Sequence, residues 1–278
     1  MRFWLSLKRA GLPAHIGIVV IVLFAFAAVF APWLAPYGES EVVDSVPWAT
    51  PEESGTLLGL DQLGRDLYSR VLFGARNTIA LAMGITILAF FMGMTAGFFA
   101  AVVGRWVDLL LSRIVDIIMA FPTLFFALIA LSIFGTSIPV LVFVIATLDS
   151  TRVYRIARAL AMDTNVMEYV EVARLRGEGL WWIMRREILP NTLTPLLAEF
   201  GLRFCFVFLF ISSLSFLGIG IQPPAADWGA MVRENGVAIT YGIFTPLVPA
   251  AAIATLTIAV NLVVDWFLRK TAGLREEY

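Results

Sequence analysis

Six apolar stretches, at about 16–34, 78–103, 113–134, 138–160, 191–220 and 244–268, each approach the ~20 residues that a helix needs to cross a bilayer. In lipid every backbone N–H and C=O must be satisfied within the protein, so runs of this length fold as helices. The expectation is an all-α, polytopic membrane protein with six transmembrane helices. Composition agrees: 60% of the 278 residues are hydrophobic, only 15% are charged, and the mean hydropathy is +0.86, far outside the range of a soluble domain.

The same numbers exclude several classes. A net charge of -1 carries no nucleic-acid signal. The lone Cys205 rules out a disulfide framework within the chain, and the lone His15 leaves no metal cluster, so no cofactor is expected. Arg2, Lys8 and Arg9 ahead of an apolar run look like the start of a signal peptide. No small-residue cleavage pattern follows, only Ala31-Pro32-Trp33, which points to a retained first span.

The fourth stretch reaches spanning length only through Asp149, Arg152, Arg155 and Arg158. These recur every third residue and make one face of the helix polar, a face that must look at protein, water or the cytoplasm. Orientation follows from the positive-inside rule. With both termini cytoplasmic, the inner side holds Arg2, Lys8, Arg9, Arg105, Arg113, seven arginines from Arg152 to Arg186, Arg269, Lys270 and Arg275; the outer side holds Arg65, Arg70, Arg76 and Arg233, fifteen against four.

Between the fourth and fifth stretches lies a charged island from Glu168 to Asn191, read as a short helix outside the membrane. Asn165 and Glu168 have the spacing of a reciprocal cap. Glu168 and Glu171 suit the positive end of a helix dipole, Arg174 and Arg176 the negative end, and Gly177 supplies a stop. Trp181 and Trp182 beside Arg185 and Arg186 have the makings of an interfacial anchor. Ile188-Leu189-Pro190 then turns the chain back into the bilayer, with Pro190 at a helix start.

The pattern Glu171-x-Ala173-x3-Gly177, with Leu189-Pro190 following, resembles the "EAA" loop of permease subunits in bacterial ATP-driven (ABC) importers. Val172 departs from it, standing where a second small alanine is usual. The resemblance implies a type I ABC importer permease fold and a coupling helix seated in a cleft of an ATPase subunit. The ATPase-coupling residues would be Glu168, Glu171, Ala173, Arg174, Gly177, Leu189 and Pro190. On the residues alone, an ordinary interfacial amphipathic helix remains the alternative.

The loop at 35–76 contains Gly59-Leu60-Asp61-Gln62-Leu63-Gly64-Arg65-Asp66, then Ser69-Arg70. Its glycines permit tight turns and its alternating charges can pair with one another. The run resembles a signature of the second permease subunit of dipeptide, oligopeptide and nickel importers. That resemblance implies that Asp61, Gly64, Arg65 and Asp66 belong to a periplasmic docking surface or gate, against the alternative of a plain solvated loop. Ser215-Phe-Leu-Gly218-Ile-Gly220 with Pro223-Pro224 and Trp228-Gly229-Ala-Met231 resembles a second signature of that subfamily, with Trp228 suited to a short outer-interface helix. Ser150-Thr151 departs from the Trp-Pro usual in the fourth span.

Gly93-x3-Gly97, with Gly84 nine residues earlier, is a small-residue face for close helix packing, and Phe121-Pro122 suggests a kink. Glu199 and Arg203, one turn apart inside the fifth span, are either an internally neutralised pair or part of a polar pathway wall that touches zwitterionic cargo.

The resemblance divides the chain into an N-terminal cytoplasmic segment, first span and periplasmic loop (1–76), a permease core (77–270) and a cytoplasmic tail (271–278). It implies a place in the bacterial inner membrane and four partners: a homologous permease, two ATP-binding subunits and a periplasmic binding protein. The chain contains no Gly-x4-Gly-Lys-Ser/Thr sequence, so ATP hydrolysis falls to another chain and this one is no enzyme. Peptides are the cargo expected on family frequency, with nickel chelates, opines or sugars as alternatives. A stand-alone secondary transporter would draw on Glu199, Asp116 and Asp265, but no internal repeat is evident. A membrane enzyme finds no nucleophile or metal constellation here.

Overall fold

The computed structural model describes residues 11–271. Arg2, Lys8, Arg9 and Arg275 of the charge argument, and residues 272–278 of the expected tail, lie outside the described residues. In chain order the helices are α1 (Leu12–Leu34), α2 (Pro51–Ser54), α3 (Leu67–Val103), α4 (Arg105–Ala120), α5 (Thr123–Phe134) and α6 (Ile138–Asn165). They continue with α7 (Glu168–Leu175), α8 (Leu180–Phe216), α9 (Trp228–Glu234) and α10 (Leu247–Thr271). Extended pairing among the described residues is confined to two isolated bridges, Val42 with Arg65 and Leu60 with Asp66.

Helices α1, α3, α8 and α10 are long and apolar enough to span a membrane, and α4 with α5 makes a fifth if counted as one bent span. The expected third span is therefore broken. Its two halves meet at 91°, because Phe121 is extended (φ -90, ψ 139) ahead of Pro122, whose ring disfavours a helical predecessor. Alone, α5 is about 18 Å long, short of the ~30 Å hydrocarbon layer. Helix α6 has spanning length, but Asp149 and its three arginines keep it from being apolar throughout.

Two spans begin earlier than the apolar runs suggested. Helix α3 starts at Leu67 because Asp66 caps it, accepting from Ser69 N–H at 2.8 Å; the 76/77 division lies inside this helix. Helix α8 starts at Leu180, and Pro190 stands second in its long α-helical segment, Leu189–Phe216. Residues Ile183–Ile188 form a π turn just before it, and that wider turn relieves the clash between a proline ring and the carbonyl four residues back.

The chain forms two compact units. One comprises the described residues up to Met83, Thr136–Ile138 and the residues from Phe204 onward; the other comprises Gly84–Gly135 and Pro139–Arg203. In the first, α1 packs along α10 so closely that a Cβ on Gly17 would lie 2.6 Å from the Ala259 carbonyl oxygen. Trp228 sits at its centre rather than at an interface. It is fully buried, donates its indole N–H to the Val71 carbonyl at 2.9 Å, and meets Phe24 and Phe208 edge-on. The ring takes the place that a side chain on Gly74 would need.

In the second unit the Gly93 and Gly97 backbone lies directly on α6. A Cβ on Gly93 would stand 2.6 Å from the Ser150 carbonyl oxygen, and one on Gly97 2.8 Å from that of Tyr154. Gly84, by contrast, has nothing within 4 Å. A buried cluster joins Phe90, Phe98 and Val102 of α3 to Val153 and Ala157 of α6 and on to Val170, Ile183 and Ile188, so the charged island is rooted in the core.

Candidate functional site

Three polar assemblies are built on this frame. The first gathers the loop before α3. Gly59 and Gly64 adopt left-handed backbone (φ 78 and 73), and a Cβ on Gly64 would collide with the Asp44 carbonyl oxygen at 1.8 Å. The turn they make folds Asp61 inward, where it accepts from Leu63 N–H, Arg65 N–H and Arg65 Nε and pairs with Arg70 Nε at 3.2 Å. Arg65 reaches on to Glu234 at 2.9 Å, and Arg70 donates to the Glu39 carbonyl at 2.7 Å. Trp48 Nε1 and the Gln62 N–H both donate to Asn235 Oδ1, while Glu39 accepts from Asn77 and from Ala226 N–H.

The loop is thus stitched to α9, and the solvated-loop alternative fails. Asp61, Gly64, Arg65 and Asp66, expected in a docking surface or gate, are all buried within this chain and brace the loop from inside. Burial follows from charge balance: two guanidiniums taken from water need two carboxylates. Glu234 was missed in the sequence, and charge balance was the signal for it. Asp66 is spent on the cap of α3, so Asp61 alone leaves Arg65 and Arg70 one acid short. In the same unit Asp227 caps α9 by accepting from Ala230 N–H at 3.0 Å and takes the Thr78 hydroxyl at 2.8 Å. Burial pushes its carboxyl above the ordinary range, against the pull of those hydrogen bonds.

The second assembly is the island. Helix α7 ends in a paired reversal: Gly177 N–H donates to the Arg174 carbonyl at 2.9 Å and Glu178 N–H to that of Ala173 at 3.2 Å, with Gly177 left-handed at φ 83. The expected cap from Asn165 is absent. Met167 occupies the N-cap without a side-chain bond, and Asn165 instead donates to the Ala101 carbonyl and accepts from Arg174 at 2.5 Å. Asn165 is the last residue of α6, so its side chain ties the two helices together rather than opening the second.

Of the residues assigned to coupling, Ala173 is fully buried and Leu189 half-buried, while Glu168, Glu171, Arg174, Gly177 and Pro190 are exposed. Between those charges Tyr169, Val172 and Leu175 are also exposed, Leu175 at 82%. Trp181 is exposed, but Trp182 turns inward beneath the Arg176 guanidinium, 5.4 Å from its ring centroid. The pair does not form a single interfacial anchor.

The third assembly pairs charges along the polar face of α6. Arg158 holds Asp108 through two bonds, one at 2.6 Å; Arg155 holds Asp116 at 2.7 Å; and Arg152 donates to Thr123 Oγ1 at 3.2 Å. Glu199 and Arg203 do pair, Nε to Oε1 at 2.7 Å, but not in isolation. Arg203 also faces Asp149 at 3.6 Å, a long-range partner that an i,i+4 reading could not supply. Among the described residues no group of His, Cys, Asp and Glu side chains is arranged to hold a metal.

Long apolar helices, polar faces paired largely within the chain and one charged amphipathic helix anchored to the core but left uncovered define a polytopic membrane protein. The chain belongs to the binding-protein-dependent transport system inner membrane component family, whose model matches residues 93–271. The N-terminal TM domain of oligopeptide transport permease C matches residues 2–47. The glutathione transport system permease protein GsiD of Pectobacterium atrosepticum is 31% identical over 95% of this chain and 87% of its own length. The di/tripeptide transport system permease protein DppC of Pseudomonas aeruginosa is 32% identical over 90% and 84%. The dipeptide transport system permease protein DppC of Alkalihalophilus pseudofirmus is 30% identical over 91% and 83%. A crystal structure of an amino acid ABC transporter with histidines shares the fold, with a TM-score of 0.51 at 23% identity over 73% of this chain and 94% of that one. The chain is a multi-pass permease subunit and not an enzyme.

Proposed function

We propose that this chain forms half of the transmembrane pathway of an ATP-driven importer of short peptides delivered by a periplasmic binding protein. A homologous permease supplies the other half and two ATPase subunits bind on the cytoplasmic side, where both termini lie. Within the chain, residues 77–270 act as the permease core, 1–76 as the entry span and loop, and 271–278 as the tail. The observation that carries this reading is α7. Its Val170 and Ala173 are locked into the core while Val172 and Leu175 stand exposed among Glu168, Glu171 and Arg174. A rigid helix with an uncovered apolar and charged face transmits motion, because a floppy loop would absorb it.

In this reading α7 sits in a cleft of an ATPase subunit, with Gly177, Leu189 and Pro190 shaping the turn beneath it. ATP binding draws the ATPases together, α7 carries that motion into α6 and α8, and the pathway alternates between outward and inward access, with Glu199 and Arg203 on its wall. Peptide cargo is carried over from the names of the relatives. The test is co-purification of the detergent-solubilised chain with its neighbours, with and without Gly177→Arg, alongside peptide uptake in cells. Recovery of a second permease and ATPases, with the ATPases and uptake lost in Gly177→Arg and in Glu171→Lys, is the expected result. A chain that purifies alone and transports alone in liposomes overturns the reading.

A further inference from the structure

Asp149, Glu199 and Arg203 form one trio, with Asp149 buried and the other two partly buried. Arg203 Nε is 2.7 Å from Glu199 Oε1 and its Nη1 is 3.6 Å from Asp149 Oδ1, with side-chain exposures of 13% for Arg203, 14% for Glu199 and 6% for Asp149. Two carboxylates share one partly buried guanidinium, which leaves a formal charge of -1 within the trio itself. Arg152 approaches from the exposed side and makes the four groups neutral in sum. Its Nη1 is also 3.6 Å from Asp149 Oδ1, its side chain is 40% exposed and its Nη2 is committed to Thr123 Oγ1. Asp149 Oδ2 accepts no hydrogen bond although the residue is only 4% exposed. Asp149 lies about 16 Å along α6 from its first residue Ile138, past an apolar run half the length of a ~30 Å hydrocarbon layer. An ionisable group at that depth is costly and faces a partner or a pathway, and an open carboxylate oxygen there has room for a cationic hydrogen-bond donor.

We infer that the trio is a cation-receiving site in the pathway, with Asp149 taking the ammonium group of the cargo. For a peptide that group is the N-terminal α-ammonium. Glu199 holds Arg203 Nε at 2.7 Å, and Asp149 Oδ2 stays open to the cargo. This rests on the importer reading above and adds a chemical selectivity to it.

The test compares uptake of dialanine with uptake of N-acetyl-dialanine by the assembled importer in proteoliposomes, using the same binding protein throughout. Because the binding protein is unchanged, any change in the uptake ratio between wild type and a variant belongs to the permease. Loss of one charge-assisted hydrogen bond is expected to lower the preference for dialanine about tenfold in Asp149→Asn, while Asp149→Glu keeps it. Glu199→Gln, which leaves Asp149 and Arg203 as a neutral pair, provides an independent fall in the ratio if Asp149→Asn does not assemble. An unchanged ratio in either neutralising variant overturns the inference and leaves the importer reading standing. Loss of the second permease from an otherwise stable Asp149→Asn chain also overturns it, because the cation would then belong to the partner subunit. A wild-type importer that takes up neither probe defeats the peptide reading itself.

Discussion

Arg65 and Glu234, 169 residues apart in the chain, meet at 2.9 Å with side-chain exposures of 5% and 11%. Through this contact the loop before α3 is fastened to α9. Removing one partner of a buried ion pair strands the other, at a cost of about 3–5 kcal/mol. Glu234→Ala is therefore expected to release residues 39–66, read as a lower thermal midpoint in detergent and new protease cleavage within that segment. Cleavage resistance equal to wild type would show that the pair does not hold the loop.

Gly93 and Gly84 lie on the same helix and are expected to respond oppositely to the same change. A methyl group at Gly93 meets the Ser150 carbonyl oxygen and the Val153 Cβ, each at 2.6 Å, whereas one at Gly84 meets nothing within 4 Å. Gly93→Ala should destabilise by about 1–3 kcal/mol through overpacking. Gly84→Ala should be neutral or slightly stabilising, because alanine is the better helix former. Thermal unfolding of the two variants side by side checks the contrast.

The Arg158–Asp108 pair holds the bent α4–α5 element against α6. Asp108→Ala should cost about 1.5–3 kcal/mol, the range for hydrogen bonds to charged groups. The reversed pair, Asp108→Arg with Arg158→Asp, should recover part of that loss. A double-mutant cycle on unfolding midpoints measures the coupling directly.

Asp227 gives a pH dependence of known sign. Burial raises its folded value above the ordinary 3.8, so the folded chain holds this proton more tightly than the unfolded chain does. The resulting stability is present below the unfolded value and is lost as pH rises through the folded one. Asp227→Asn cannot titrate. The downward slope of stability with rising pH above the ordinary carboxylate range should flatten in this variant, as read from thermal midpoints across a pH series.

Much of the fold was legible because bilayer physics leaves few choices. Long apolar runs become helices, although the third is broken in two. The every-third-residue charges from Asp149 to Arg158 had to face protein, water or the cytoplasm, where the arginines meet Asp108, Asp116 and Thr123 with Arg152 and Arg155 still partly exposed. Phe121-Pro122 signalled a break through local sterics alone, though not its size of 91°. The ends of helices were less legible, because hydropathy marks where lipid begins and not where a helix starts. Asp66 starts α3 well before its apolar run, and the π turn at Ile183–Ile188 carries α8 through Pro190.

By itself the sequence determined the class: an all-α membrane protein, a short charged helix between the apolar runs with Gly177 at its stop, and membership of a transport-permease family. These features are local, set by periodicity, capping and backbone freedom within a few residues. Only the tertiary structure decided partners across distance. It buried Asp61, Arg65 and Asp66 instead of presenting them, and it drew Trp228 from an expected interface into the core. It also set Asp149 beside Glu199 and Arg203. Arg65 with Glu234, Trp228 with Val71 and Asp149 with Arg203 each depend on a group tens to hundreds of residues away, and no spacing within a single segment encodes which group that will be.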